Sequence, residues 1–229
     1  MQTTAEATQG SAAPSHDAPP SARAVARGFL LSRLGSLLAI LPLGVWVANH
    51  LWNQLAAFDS PRAWQEAVTH HSSAATQALT FTVVLLPLLW HTVWGIARMV
   101  RSRPAVRTGT FSNARYLVQR LSAVGLLLFL GAHLWLAWAE PRFVEGRPEP
   151  FSEIAHEMRH HMPTLVVYLL GTLGIAYHLA NGLWSFAMGW GVAVGKTALA
   201  WMERLSLVVF AVLLAMGWAA VYALWVGGA

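Results

Sequence analysis

Residues 163–188 read PTLVVYLLGTLGIAYHLANGLWSFAM. No charged side chain interrupts this run, and at ~1.5 Å rise per residue it is long enough to cross a hydrocarbon core of ~30 Å as a helix. One histidine, His178, lies inside it. A histidine in hydrocarbon is costly and normally faces the protein interior with a partner. Working outward, four more runs of spanning length appear: Leu34–Leu55, Ala78–Ala97, Leu121–Trp138 and Leu205–Val226. The first three carry His50, His91 and His133, one each. The runs are continuously apolar and too long for barrel strands. The predicted fold is therefore an all-α membrane protein, a bundle of five transmembrane helices over residues 26–229. Residues 1–25, rich in Ala, Ser, Thr and Pro, read as a disordered cytoplasmic tail. The basic residues near that end come late and a full-length span follows them, which reads against a secretory signal.

The composition agrees. The 229 residues are 56% hydrophobic and 11% charged, against roughly 25% charged in a soluble domain. Twelve tryptophans suit interfacial belts and the walls of a large flat cofactor. The absence of cysteine excludes iron–sulfur clusters, disulfides and thioether-linked haem in this chain. The net charge of +5 does not point to nucleic acid, because the basic residues collect at the ends of the apolar runs.

Those ends orient the bundle. With the N-terminus cytoplasmic, the inner side holds Arg23, Arg27, Arg33, Arg98, Arg101, Arg103, Arg107, Arg115, Arg120, Lys196 and Arg204, and the outer side only Arg62, Arg142, Arg147 and Arg159. That is the positive-inside pattern of a bacterial cytoplasmic (inner) membrane protein, multi-pass, with its C-terminus outside. Helical rise then gives depths. His50 and His133 fall roughly 25 and 20 Å from the inner edge, whereas His91 and His178 fall about 10 and 18 Å from it. Depth sorts the four into an outer pair, His50/His133, and an inner pair, His91/His178.

Four histidines on four successive spans need a shared partner. The economical one is metal, and two iron porphyrins with two axial imidazoles each would use all four. Small and polar residues follow the same faces. Gly171, Gly174, His178, Asn181, Gly182 and Ser185 form one stripe, and Ser122 and Gly125 lie on the face of His133. The competing reading is tight helix packing with hydrogen-bonded histidines. Arg33, Ser36 and Arg120, at inner helix starts, are candidates for haem propionate contacts. Plain positive-inside anchoring is the alternative for them. His156 and His160 have the i, i+4 spacing of a zinc pair, but an interfacial outer helix explains them better. His70 and His71 read as solvated loop residues. Pro87 is expected to kink the second span.

The motifs themselves resemble a known family. Arg33-Leu34-Gly35-Ser36-Leu37-Leu38 with Asn49-His50-Leu51 and Asn53-Gln54 is similar to the first helix of the cytochrome b subunit of succinate dehydrogenases and fumarate reductases, in the Bacillus-like, two-haem, single-anchor class. The stretch 87–95, PLLWHTVWG, resembles its second helix. Gln119-Arg120 with Ala132-His133-Leu134-Trp135 resembles its third, and 177–186, YHLANGLWSF, its fourth. The resemblance covers roughly residues 27–226. It implies two b haems, with His50 and His133 as axial ligands of the outer one and His91 and His178 of the inner one. It also implies a flavoprotein and an iron–sulfur subunit docked on the cytoplasmic face, and a quinone, commonly menaquinone, as substrate near the outer haem. The quinone is expected around Asn53, Glu140 and His160, where Glu66 and His156 add protonatable groups. Two departures stand out. Gly35 occupies a position where family members carry histidine. The fourth and fifth spans also lack a mid-span carboxylate for a transmembrane proton path.

Two other functions fit the same residues. One is a dihaem anchor for a hydrogenase or formate dehydrogenase, which the Asn181-Gly182-Leu183-Trp184-Ser185 stretch disfavours. The other is a non-redox transporter that uses the histidines. With no flavin motif and no cluster cysteines, the chain holds no dicarboxylate site of its own.

Overall fold

The structure is a computed structural model that describes residues 21–69, 73–101 and 110–229. His70, His71, Arg103, Arg107 and the first 20 residues of the expected tail lie outside the described residues. Every described element is helical, with no strand among them. Five helices are long and apolar enough to cross a membrane: Ala22–Phe58, Ala74–Arg101, Ala114–Phe143, Met162–Gly189 and Lys196–Gly227. Each contains the corresponding sequence-predicted run and extends beyond it. The first begins at Ala22, capped by Ser21, whose Oγ accepts from Ala24 N at 3.3 Å. Residues 22–25, read from sequence as the end of the tail, are therefore helical.

Three prolines shape the spans. Pro42 lies inside a π-helical turn, Ala39–Gly44. Pro87 and Pro141 each follow one by two residues, after Phe81–Leu85 and Trp135–Ala139. Proline offers no N–H and its ring crowds the preceding turn, and one wide turn absorbs both faults. The kink expected at Pro87 takes this form. The widened turns bracket the histidine-bearing segments of spans one, two and three.

Packing is uneven. Spans four and five are the tightest pair. Small buried residues meet there (Ala176, Ala180, Ala220, Ala223), and Ser206 Oγ donates to Ala180 O at 2.6 Å. Small residues let backbones approach where lipid offers no hydrophobic drive between helices. Span three packs on span four, and span one on spans two, four and five. Among the described residues, the first and third spans do not pack closely along their lengths, nor do the second and fourth. Only 6% of the apolar window is buried in spans two and three, against 33% in span five.

The end of the bundle near Gly228 is closed by two short helical segments. Residues 61–69 start at Ser60, whose Oγ accepts from Ala63 N at 3.0 Å. The helix Phe151–His160 buries Phe151, Ala155 and Met158, which lie on one stripe. These side chains pack with Trp64, Val221 and Leu224 in one apolar cluster. His156 and His160 stand side by side on this helix, ring centroids 4.5 Å apart, and His160 Nε2 lies 3.3 Å from Gly228 O. No group of three metal-ligating side chains occurs among the described residues.

Candidate haem sites

The bundle brings the four histidines together in two pairs. His50 and His133 face each other across the first and third spans, with ring centroids 6.1 Å apart and planes at 68°. His91 and His178 do so across the second and fourth, at 6.3 Å and 77°. These are the two diagonals of the bundle, where the helices themselves do not pack closely. A metal bound by both rings at about 2 Å from each nitrogen would hold the centroids roughly 6 Å apart.

The outer atoms of the rings are tied down. His91 Nδ1 lies 3.1 Å from Gly35 O. His133 Nδ1 lies 3.1 Å from the Tyr168 hydroxyl. His178 Nδ1 lies 3.2 Å from Ser122 Oγ. A protonated Nδ1 donating to each oxygen leaves the Nε2 lone pair for a metal, the usual way in which a neighbour fixes a ligating tautomer. His50 is held differently. It stacks on Trp46 at 4.7 Å and 8°, and its Nε2 lies 3.4 Å from Gln54 Nε2. Gln54 Oε1 in turn accepts from Trp64 Nε1 at 2.7 Å. In this arrangement the Gln54 amide points its N–H at His50, so metal binding through that nitrogen requires the amide to turn aside.

Gly35 has a definite role in place of the histidine it departs from. A Cβ there would lie 2.7 Å from the Trp94 ring, so glycine admits the second span close enough for His91 to reach the Gly35 carbonyl.

Arg33 reaches into the bundle at the end opposite Gly228. Its guanidinium packs against Gly189, leaving no room there for a Cβ, and its Nε is buried without a hydrogen-bond partner among the described residues. A buried, unsatisfied donor on a cation is costly and calls for an acceptor. Ser36 is committed elsewhere: its hydroxyl donates to Arg33 O at 2.8 Å and accepts from Trp190 Nε1 at 3.1 Å. Arg120 lies over the Tyr116 ring, 4.4 Å from its centroid. The residues present therefore fit haem: two opposed imidazole pairs on diagonals of the bundle, and an orphaned guanidinium donor suited to a propionate.

The three residues expected around a quinone are placed apart. Asn53 sits near the outer end of the first span, Glu140 opens a short helix with Arg142 in its last turn, and His160 lies beside the C-terminus. No hydrogen bond or ring contact joins them among the described residues. Glu149, missed in the sequence, is the distinctive outer acid. Burial, then Glu153 and Glu145, push its carboxyl up to about 7.

The succinate dehydrogenase cytochrome b558 subunit of Bacillus subtilis (strain 168) is 29% identical to this chain over 202 residues, which cover 86% of this chain and 97% of that protein. The chain is similar to that cytochrome b subunit along almost all of both lengths. This bears out the family resemblance carried by the histidine motifs. No family model matches the chain, and no solved structure matches it. Five spanning helices and a cytochrome b relative together make this a multi-pass membrane protein related to a subunit of an enzyme complex.

Tyr168, Trp64, Gln119 and Arg115 are the functional neighbours that sequence reasoning did not single out. Gln119 appeared only as part of a motif. Trp64 sits in a connection, and Tyr168 lies almost three turns before His178 on the same helix, so spacing alone linked neither to a histidine on another span.

Proposed function

We propose that this chain is the membrane anchor and dihaem electron-transfer subunit of a succinate:quinone oxidoreductase, passing electrons between an iron–sulfur subunit and a quinone of the menaquinone class. The observation that carries the reading is the pairing of four histidines, one from each of the first four spans, into two opposed sets. The named relative supports the choice of succinate dehydrogenase over a hydrogenase or formate dehydrogenase anchor. His50 and His133 would hold the outer haem b, and His91 and His178 the inner one. Haem held by these imidazoles would supply single-electron transfer.

The chain's own residues supply the rest. Gly35 O, Tyr168 and Ser122 fix ring orientation. Arg33 offers its buried donor to a propionate at the inner end. Arg98, Arg101, Arg120, Lys196 and Arg204 give the inner face a positive rim beside which the flavoprotein and iron–sulfur subunits dock, with the N-terminus cytoplasmic and the C-terminus outside. Quinone reacts at the outer end, around Asn53, Glu140 and His160. Glu149 can exchange protons there near neutral pH. An electron moved between the two depths crosses part of the membrane field, worth ~2.3 kcal/mol per 100 mV for a full crossing. Without a mid-span carboxylate in spans four and five to carry a compensating proton, turnover should respond to membrane potential.

The test is purification of the tagged chain from native membranes. Co-purifying flavoprotein and iron–sulfur subunits, identified by mass spectrometry, together with a dithionite-reduced b-type α-band, are expected. A colourless protein would refute the haem reading in favour of a non-redox transporter. Hydrogenase or formate dehydrogenase partners would refute the succinate assignment.

A further inference from the structure

The inner histidine pair is unequal in its surroundings. His91 meets one backbone carbonyl, whereas His178 ends a chain of side chains that begins at the inner rim. Arg115 Nε donates to Asn181 Oδ1 at 2.6 Å. Asn181 Nδ2 donates to Gln119 Oε1 at 2.8 Å. Gln119 Nε2 donates to His178 O at 3.3 Å. Asn181 is buried, and Arg115 is stacked over Trp184 at 3.9 Å with Glu203 3.5 Å from its Nη1.

An amide side chain can turn over and exchange its donor and acceptor ends, so a chain of two amides has two directions. Arginine at one end has donors and no acceptor, the His178 carbonyl at the other only accepts, and the two set the direction together. Asn181 must present its oxygen to Arg115, which turns its N–H to Gln119 and turns the Gln119 N–H toward His178. Gln119 Nε2 also lies 3.2 Å from His178 Nδ1 and, having no acceptor site, cannot take a proton from that nitrogen. The Nδ1 proton is thus left to Ser122 Oγ, whose own proton goes to Gln119 O at 2.9 Å. A hydroxyl is a weaker acceptor than an amide oxygen, and a weaker acceptor leaves the imidazole less electron-rich.

We propose that Arg115, acting through Asn181 and Gln119, is a positioning residue that keeps the Gln119 oxygen away from His178 and so raises the reduction potential of the inner haem. This rests on the haem assignment made above. Removing the guanidinium takes away one of the two groups that hold the amides, leaving only the His178 carbonyl to oppose a turn that offers the Gln119 oxygen to the Nδ1 proton. The richer imidazole then favours ferric iron, and the loss of a cation acts in the same direction.

The test is the midpoint potential of each haem, resolved by low-temperature spectroscopy, in membranes carrying the full chain. Arg115→Leu should shift the inner one-electron equilibrium about tenfold toward ferric iron, a fall of about 59 mV. Arg115→Lys, which keeps donor and charge, should restore most of it, and the outer haem should not move. Asn181→Asp is the second variant: its carboxylate still accepts from Arg115 but has no N–H for Gln119, so the inner potential should fall again. Unchanged inner potentials in haem-loaded Arg115→Leu and Asn181→Asp would overturn the proposal. So would equal shifts of both haems, or a Lys variant that behaves like Leu. Wild-type protein with no bis-histidine haem signal would instead sink the haem assignment itself.

Discussion

Tyr168 and His133 meet through the tyrosine hydroxyl and the ring Nδ1, 3.1 Å apart, on the fourth and third spans. The contact ties the outer histidine of one helix to its packing neighbour. A Tyr168→Phe variant loses an acceptor for the Nδ1 proton, at a cost of about 0.5–1.5 kcal/mol. The imidazole becomes less electron-rich, so the outer haem should become easier to reduce. Potentiometry should show the outer midpoint rising and the inner one unmoved.

The two layers should separate function. His91→Ala or His178→Ala should remove the inner haem and weaken retention of the soluble subunits on the membrane. His50→Ala or His133→Ala should spare docking and abolish quinone activity. Sedimentation of succinate–dye reductase activity with membranes reads the first, and succinate–quinone activity the second. The same docking defect in all four variants would strip the layers of functional meaning.

Gly35→Ala places a methyl 2.7 Å from the Trp94 ring. Overpacking of this kind costs typically 1–3 kcal/mol. Because the strain pushes the first and second spans apart, it should also lengthen the His91–Gly35 hydrogen bond. Thermal melts in detergent should show a lower midpoint, with inner-haem loss preceding outer-haem loss.

Much of this was legible beforehand for physical reasons. Hydrophobic runs and flanking arginines locate spans, and position along a helix follows from its rise, so the two histidine pairs could be read before any contact was known. Helix ends were less legible. The first span begins at Ala22 and not at Leu34 because a helix continues past the lipid slab, where hydropathy no longer marks it. Contacts that join distant segments left no local signal. Trp64 reaches Gln54 from an outer connection, and Arg115 reaches Asn181 from another span. Gly35, read as a missing histidine, becomes intelligible only beside Trp94.

The outer face should carry a pH dependence through Glu149. Its carboxyl is raised from 4.5 to about 7 by burial and by Glu153 and Glu145, against a lowering by Arg147. Between those values the folded protein holds a proton that the unfolded chain has released. The stability this group contributes is present below about 4.5 and is lost as pH rises through about 7. Glu149→Gln should flatten the fall in melting temperature across that window and leave the profile below it unchanged.

The pairing of the histidines is tested most directly by the haem-to-protein ratio and reduced-minus-oxidised spectra of two double variants. Replacing His50 and His133 together should leave one b haem per chain, the inner one, because both changes fall on the same site. Replacing His50 and His91 together should leave none. A single haem surviving in the His50/His91 variant, or none in the His50/His133 variant, would contradict the two-layer arrangement.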